Sequence, residues 1–153
     1  MAQLSRAGDG WINLIPHTNE EEKPTSLGFL TLFGGGSTGV AMCTWVPAVL
    51  EPSGRNRVRL GISHVSGLRA VSQLRSLGTP VPENWAVEQD HPLRGLVLQL
   101  PSEEANERVL EWALGAARAL NSISSALEWR AEIYFPSGVG NDLSPDPVPD
   151  ESD

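Results

Sequence analysis

The sequence predicts an α+β domain with a ferredoxin-like core, and three observations lead to this prediction. Segments that alternate polar and apolar residues, which is typical of strands, occur at both ends of residues 57–135 and twice between them. Two segments between them space their apolar residues as an amphipathic helix does. The resulting order is β-α-β-β-α-β, the split pattern of ferredoxin-like folds. At 153 residues the chain is expected to form a single domain, over residues 1–136.

Extra strands are predicted ahead of this core, within residues 10–50. GWINLIP places Trp11, Asn13 and Ile15 on one side of a short strand. SLGFLTLF and TGVAMCTWVP are rich in strand-forming residues, and the GGGS between them predicts a hairpin. RNRVRLGIS then begins the core as its first strand.

The first predicted helix lies in SGLRAVSQLRSLG. Ser66 is a suitable N-cap, because its hydroxyl can accept a hydrogen bond from an early helical amide. Gly78 suits the left-handed position that follows a last turn. The apolar stripe comprises Leu68, Val71, Leu74 and Leu77.

The second predicted helix lies in PSEEANERVLEWALGAARALN. Ser102 is the expected N-cap, and Glu103 and Glu104 suit the positive end of the helix dipole. The face predicted to be buried carries Val109, Trp112, Ala113, Ala116 and Leu120.

Three more strands complete the pattern. WAVEQ and RGLVLQL are predicted strands on either side of DHPL. LEWRAEIYF alternates throughout and predicts a half-buried last strand. Its apolar side carries Leu127, Trp129, Ala131, Ile133 and Phe135.

Charge argues against a nucleic-acid partner. The net charge is −8, and five of these negative charges belong to residues 137–153, an acidic, proline-rich tail that is predicted to be disordered. An acidic chain repels phosphate backbones. The strongest basic patch, Arg55, Arg57 and Arg59, is interpreted as a solvated strand face or as protection of an edge strand.

The sequence favours the cytoplasm. Cys43 is the single cysteine, so no intramolecular disulfide is possible, and its apolar setting predicts a small buried side chain. The first residues lack the apolar region of a secretory signal. The uncharged stretch 24–50 is interrupted by FGGGSTG and Pro47, which excludes it as a membrane-spanning helix.

The predicted topology brings polar residues to one end of the sheet. The first two core strands are parallel, so they end at the same edge, at His64 and at Asp90–His91. The second helix returns to that edge with Asn121 and Ser124. A small ligand, anion or divalent-metal site is therefore a hypothesis there, with no cofactor assigned. Its candidate residues are His64, Ser66, Asp90 and His91.

A purely structural interpretation competes with that site. Asp before His-Pro is a common turn composition, because aspartate bonds nearby backbone and proline fixes φ. The Asp90–His91 pair could therefore be only the tip of a hairpin. The sequence leaves both interpretations open.

Other apparent catalytic motifs fail a structural test. GGSTG matches the nucleophile elbow with Ser37 as nucleophile, but the elbow requires a following helix and here a strand is predicted. The same glycines resemble a phosphate-binding loop, but Val40 and Ala41 stand where lysine and a hydroxyl residue are required.

Four segments, GWINLIP, CTWVP, QDHPLRGLVLQLP and WRAEIYFP, resemble those of a family of short, uncharacterised actinobacterial proteins. The resemblance covers residues 10–136 and excludes the tail. It implies no activity, and no functional residue follows from it.

The leading functional hypothesis is a non-catalytic cytoplasmic interaction module. No complete catalytic constellation appears in the sequence, and the expected partner is another protein, a second copy of the chain or a small ligand. Trp11 is the candidate exposed anchor, since tryptophan is enriched at binding hot spots. The alternative is a small enzyme or a metal or anion site at the His64, Asp90 and His91 edge.

Overall fold

The computed structural model describes residues 1, 4, 10–17, 40–50, 56–64, 67–121 and 128–135. Within these ranges the chain is mixed α+β, as the sequence predicted. Its elements in chain order are β1 (Trp11–Pro16), β2 (Met42–Leu50), β3 (Asn56–Ser63), α1 (Ala70–Ser76), β4 (Ala86–His91), β5 (Gly95–Leu100), α2 (Asn106–Leu120) and β6 (Trp129–Tyr134). The predicted strand at SLGFLTLF, its hairpin and the tail 137–153 lie outside the described residues.

The six strands form one sheet in the order β4-β5-β3-β2-β1-β6, and every neighbouring pair is antiparallel. β5 separates β3 from β4, so those two strands run parallel, as the split pattern requires. The ferredoxin-like topology as a whole is not confirmed, because β6 pairs with β1, not β3. Only residues 51–55 join β2 to β3, and short connections favour neighbouring strands. β2 therefore pairs with the edge of β3 at which the ferredoxin-like prediction placed β6.

The main core lies between one face of the sheet and the two helices. α2 contacts β2 and β3, while α1 contacts β4 and β5. The fully buried side chains include Leu60, Leu74, Leu96 and Leu98. Burying a leucine stabilises a fold by roughly 1.5–3 kcal/mol, so these four hold the helices to the sheet.

Cys43 is part of this core, as predicted. Its thiol donates to the carbonyl of Ala113 over 3.4 Å. Burial raises the pKa of the thiol to about 12. The cysteine is therefore a packing residue and carries no thiolate at neutral pH.

α1 ends as the sequence predicted but begins later. Gly78 has a φ of +79°, and its amide donates to the Arg75 carbonyl, which closes the last turn. The predicted N-cap, Ser66, lies outside the described residues, and Arg69 holds the N-cap position of the helix. Leu68 and Leu77 consequently fall outside the helix and are exposed by 62% and 51%.

α2 begins three residues later than predicted. Ala105 precedes its first residue, so Ser102 is not its N-cap. The buried face agrees with the prediction at Val109, Ala113, Ala116 and Leu120, and Trp112 is partly buried beside them.

Glu104 ties the start of α2 to the loop that precedes β4. Its Oε2 accepts hydrogen bonds from the indole of Trp85 at 2.8 Å and from the amide of Asn84 at 2.9 Å. Its Oε1 accepts from Arg108 at 2.8 Å. These bonds, led by the one from Trp85, lower the pKa of the Glu104 carboxyl. Trp85 is thereby held against Trp112, with ring centroids 5.0 Å apart and nearly perpendicular planes.

We expect Glu104→Ala to lower the free energy of unfolding by about 1–3 kcal/mol, because it leaves the buried indole donor of Trp85 without its acceptor. In the wild type, the ionised Glu104 adds to the free energy of unfolding above the ordinary pKa of a glutamate carboxyl. This addition is lost as the pH falls through the lowered pKa of Glu104 in the folded state. Urea unfolding followed by tryptophan fluorescence measures both effects. Glu103→Ala, at the neighbouring exposed position, is the matched control, and equal stability of the two variants would contradict this role.

Candidate functional site

The elements that were predicted to meet at one end of the sheet, where β3 and β4 terminate, do meet there. β3 ends beside His64, and β4, which is parallel to it, ends at His91. α2 ends at the same edge, where the Asn121 side chain accepts a hydrogen bond from the Ala41 amide at 2.5 Å. We call this end of the sheet the histidine rim. Two candidate residues of the rim, Ser66 and Ser124, lie outside the described residues.

Asp90 caps the N-terminus of α1 from the neighbouring strand. Its Oδ1 accepts a hydrogen bond from the Ala70 amide at 2.7 Å, and its Oδ2 lies 3.3 Å from the Val71 amide. A carboxylate is well suited to this place, because the first amides of a helix lack intrahelical acceptors and carry the positive end of the dipole. Both oxygens of Asp90 are therefore used by the fold.

His91 closes the hairpin between β4 and β5. Its Nδ1 accepts hydrogen bonds from the amides of Leu93 and Arg94, at 3.1 and 3.2 Å. Gly95 follows with a φ of +84°, and a Cβ at this position would collide with the carbonyl oxygen of Ile62 on β3. The DHPLRG sequence is thus a turn in which one histidine nitrogen and one glycine have defined structural tasks.

His64 is the buried member of the rim, with an exposed fraction of 3%. Burial lowers the pKa of its imidazole, and the negative charge of Asp90 partly opposes that shift. The neutral imidazole is therefore the favoured form in the fold at neutral pH.

The ligand or metal site at the rim stays a prediction. Among the residues that the structure describes, no group of three or more His, Cys, Asp and Glu side chains is placed to hold a metal ion. The two side chains that suggested the site, Asp90 and His91, already accept backbone amides.

The basic patch lies in the middle of the sheet. Arg57 and Arg59 are on β3, so the interpretation of these residues as protection of an edge strand is wrong. Both reach Glu88 of β4, at 3.4 and 2.9 Å. Their charges are therefore partly balanced within the chain, and Arg55 lies outside the described residues.

A second candidate site, an apolar cleft, opens on the helix-facing side of the sheet between α2 and strands β1 and β6. Its volume is about 230 Å³, and all ten described residues that line it are apolar. The floor and walls are Ile12, Leu14, Trp45, Leu60, Val109, Leu110, Ala113, Ala131 and Ile133, with Met1 at one side. Such a concave apolar surface suits hydrocarbon or apolar side chains.

β6 leaves its apolar side open next to this cleft. The alternation predicted for this strand is present, but the prediction that its apolar side is buried is wrong for the last part of the strand. Ile133 and Phe135 are exposed by 55% and 59%, and Ala131 is exposed as well. α2 packs over β2 and β3. β6 lies two strands beyond β2, about 10 Å further across the sheet, and so lies to one side of α2.

The other side of β6 is polar and hydrogen-bonded. Tyr134 donates to Glu132 at 2.6 Å, and Arg130 pairs with the other oxygen of Glu132 at 2.6 Å. The bond to Glu132 is the main reason that the pKa of Tyr134 is raised. Trp11 stacks on the Tyr134 ring with centroids 5.2 Å apart. Trp11 is therefore partly buried, whereas Ile133 of β6 is exposed, and the role of Trp11 as an interaction anchor stays a prediction.

Comparison of the chain with protein-family models, with curated proteins and with solved structures found no match. The resemblance to short actinobacterial proteins accordingly stays a prediction. In the part of the chain that the structure describes, no helix has the length and apolar character to cross a membrane.

Replacing Asp90 tests its role as a helix cap. We expect Asp90→Ala to reduce the free energy of unfolding by about 1–2 kcal/mol, the usual effect of removing an N-cap side chain. Asp90→Asn keeps an acceptor oxygen and should lose less. Urea unfolding gives the two values, and an Asp90→Ala variant as stable as wild type would show that the cap is dispensable.

His64 should make the fold sensitive to mild acid. Because burial lowers its folded-state pKa below 6.5, the unfolded chain binds the proton more readily. The contribution of neutral His64 to the free energy of unfolding is complete above pH 6.5. It decreases as the pH falls from 6.5 towards the pKa of His64 in the folded state. Urea midpoints at pH about 7.5 and about 6.0 measure the difference, which His64→Gln should reduce. His17→Gln removes an exposed imidazole and is the control; the same pH dependence in His64→Gln as in wild type would contradict the assignment.

Proposed function

We propose that this chain is a non-catalytic cytoplasmic interaction module that binds an extended protein segment along β6. One observation supports this above all: β6 is a terminal strand of the described sheet, and Ile133 of β6 and Phe135, just after its end, are more than half exposed. Large apolar side chains grouped at a strand edge are characteristic of binding surfaces.

The backbone of β6 suits strand addition. Among the described residues β6 pairs with β1 alone, so one edge of β6 is open to another strand there. Strand addition gains its affinity from main-chain hydrogen bonds and its specificity from alternate side chains. β6 has such an alternation, with Ala131 and Ile133 on one side and Arg130 and Glu132 on the other.

The apolar cleft supplies the specificity. Ala131 and Ile133 belong both to β6 and to the cleft lining, so the cleft lies directly beside the strand edge. A partner strand would place alternate side chains over this cleft, and Leu110 of α2, exposed by 37%, forms part of its opposite wall. The preferred partner segment therefore alternates apolar and polar residues.

The histidine rim supports the alternative function less well. Asp90 and His91 accept backbone amides that α1 and the hairpin need, so a ligand there would compete with the fold. A metal site would require His64 and His91 to shift together in a zinc titration followed by NMR. The interaction module requires no response to zinc.

A peptide titration tests the module. The probe is a fluorescein-labelled peptide of about eight residues that alternates valine with lysine and glutamate, the usual length of a strand. We expect a saturable rise in polarisation and amide shifts concentrated in β6 and around the cleft. Ile133→Lys should weaken binding roughly tenfold, because it removes an apolar side chain that the peptide would bury.

Val87→Lys is the matched control for this titration. Val87 lies on β4, the opposite terminal strand of the described sheet, and is exposed by 46%. It should bind the peptide as wild type does. Absence of binding, or equal loss in both lysine variants, would count against β6 as the binding strand.

A further inference from the structure

Resting on the proposed function, we propose that the strand which pairs with β6 is β6 of a second copy of the chain. The two strands would run antiparallel about a twofold axis at Ala131. In this register Arg130 of each copy lies opposite the partner's Glu132. The two six-stranded sheets would then become one continuous sheet.

The geometry of antiparallel pairing restricts the registers that a twofold axis allows. Residues directly opposite each other point to the same side of a sheet, so the axis must pass at a residue position, not between two. For the six residues of β6, only axes at Ala131 and at Glu132 align five residues of each strand. These are the two registers with the largest overlap.

Charge separates these two registers. With the axis at Glu132, the two Glu132 carboxylates would face each other, at the short Cβ distance of about 4.5–5.5 Å at which like charges destabilise a pair. With the axis at Ala131, Arg130 faces the partner's Glu132 twice. Arg130 and Glu132 lie on the same side of the strand already, as their ion pair at 2.6 Å shows. The Ala131 register therefore extends this pair into a ladder of four charges.

The apolar side of β6 supports the same register. Ala131 would face its own copy at the axis, where a small side chain allows close approach. Ile133 would lie opposite the partner's Trp129, an aromatic and β-branched combination that stabilises sheets. Ile133, exposed by 55% in one copy, would thereby be covered.

Complementary charge reversals give a decisive experiment. In the Ala131 register, Arg130→Glu places two glutamates opposite two glutamates, and Glu132→Arg does the same with arginines. Each variant alone should therefore be monomeric where wild type is dimeric, with a dimer dissociation constant raised roughly tenfold or more. An equimolar mixture of the two variants restores opposite charges at both positions and should form a heterodimer.

The mixture isolates the contact between chains. Arg130 and Glu132 also pair within one chain, so either single variant loses that bond as well. Only a contact between copies lets one defective variant rescue the other. Sedimentation velocity of the full chain, at concentrations up to about 1 mM, measures the oligomeric state of the wild type, of each single variant and of their mixture. Arg69→Glu and Glu83→Arg, two exposed charge reversals outside β6, are the controls and should dimerise as wild type does.

The outcomes separate self-pairing from the proposed function. A wild-type chain that stays monomeric, or a mixture that stays monomeric when wild type dimerises, overturns the pairing or its register. Neither result affects the peptide titration, which is measured on the monomer and counts against the proposed function if no peptide binds or if Ile133→Lys and Val87→Lys lose binding equally. A dimer that forms through β6 and excludes the peptide would support both.

Discussion

In the part of the chain that the structure describes, the sheet is wider than α1 and α2 together, and the exposure of β6 depends on this difference in width. Six strands place the centres of β4 and β6 about 24 Å apart. Two helices packed side by side cover about 20 Å, and here they lie over β4, β5, β3 and β2. The remaining part of this face, at β1 and β6, lies beside α1 and α2, and the helical residue Leu4 is buried near Gly10 and Tyr134. Met1 and the buried Leu4 contact the core there, yet an apolar cleft stays open beside them.

Local patterns predicted most of the elements, because each strand and helix carries its period in its own residues. β1, β3, β4, β5 and β6 were all evident from alternation, and the end of α1 was evident from Gly78. Coverage of β6 was not predictable in this way. The apolar alternation of WRAEIY shows which side chains share a face, whereas strand order decides whether a helix lies over that face. Strand order depends on pairings between distant parts of the chain.

The helix starts show the same limit at the level of single residues. Ser66 and Ser102 are both good capping residues, yet neither helix begins beside its serine. α1 receives its cap from Asp90, a residue 20 positions further along the chain, because β4 passes close to the helix start. The sequence did place Asp90 and the start of α1 at one edge. It could not show that the Asp90 carboxylate is oriented towards two helical amides, an orientation that gives this side chain a task in the fold.

The histidine rim and β6 thus differ in how much their side chains contribute to the stability of the fold. At the histidine rim, polar side chains satisfy backbone groups: Asp90 the helix, His91 the hairpin and Asn121 the start of β2. Their replacement should reduce stability first. At β6 the order is reversed, since Ile133 and Phe135 are apolar, exposed and peripheral to the main core. Apolar side chains that stay exposed in the fold have the most apolar surface left for a partner to cover. The free energy available for binding is therefore concentrated along β6.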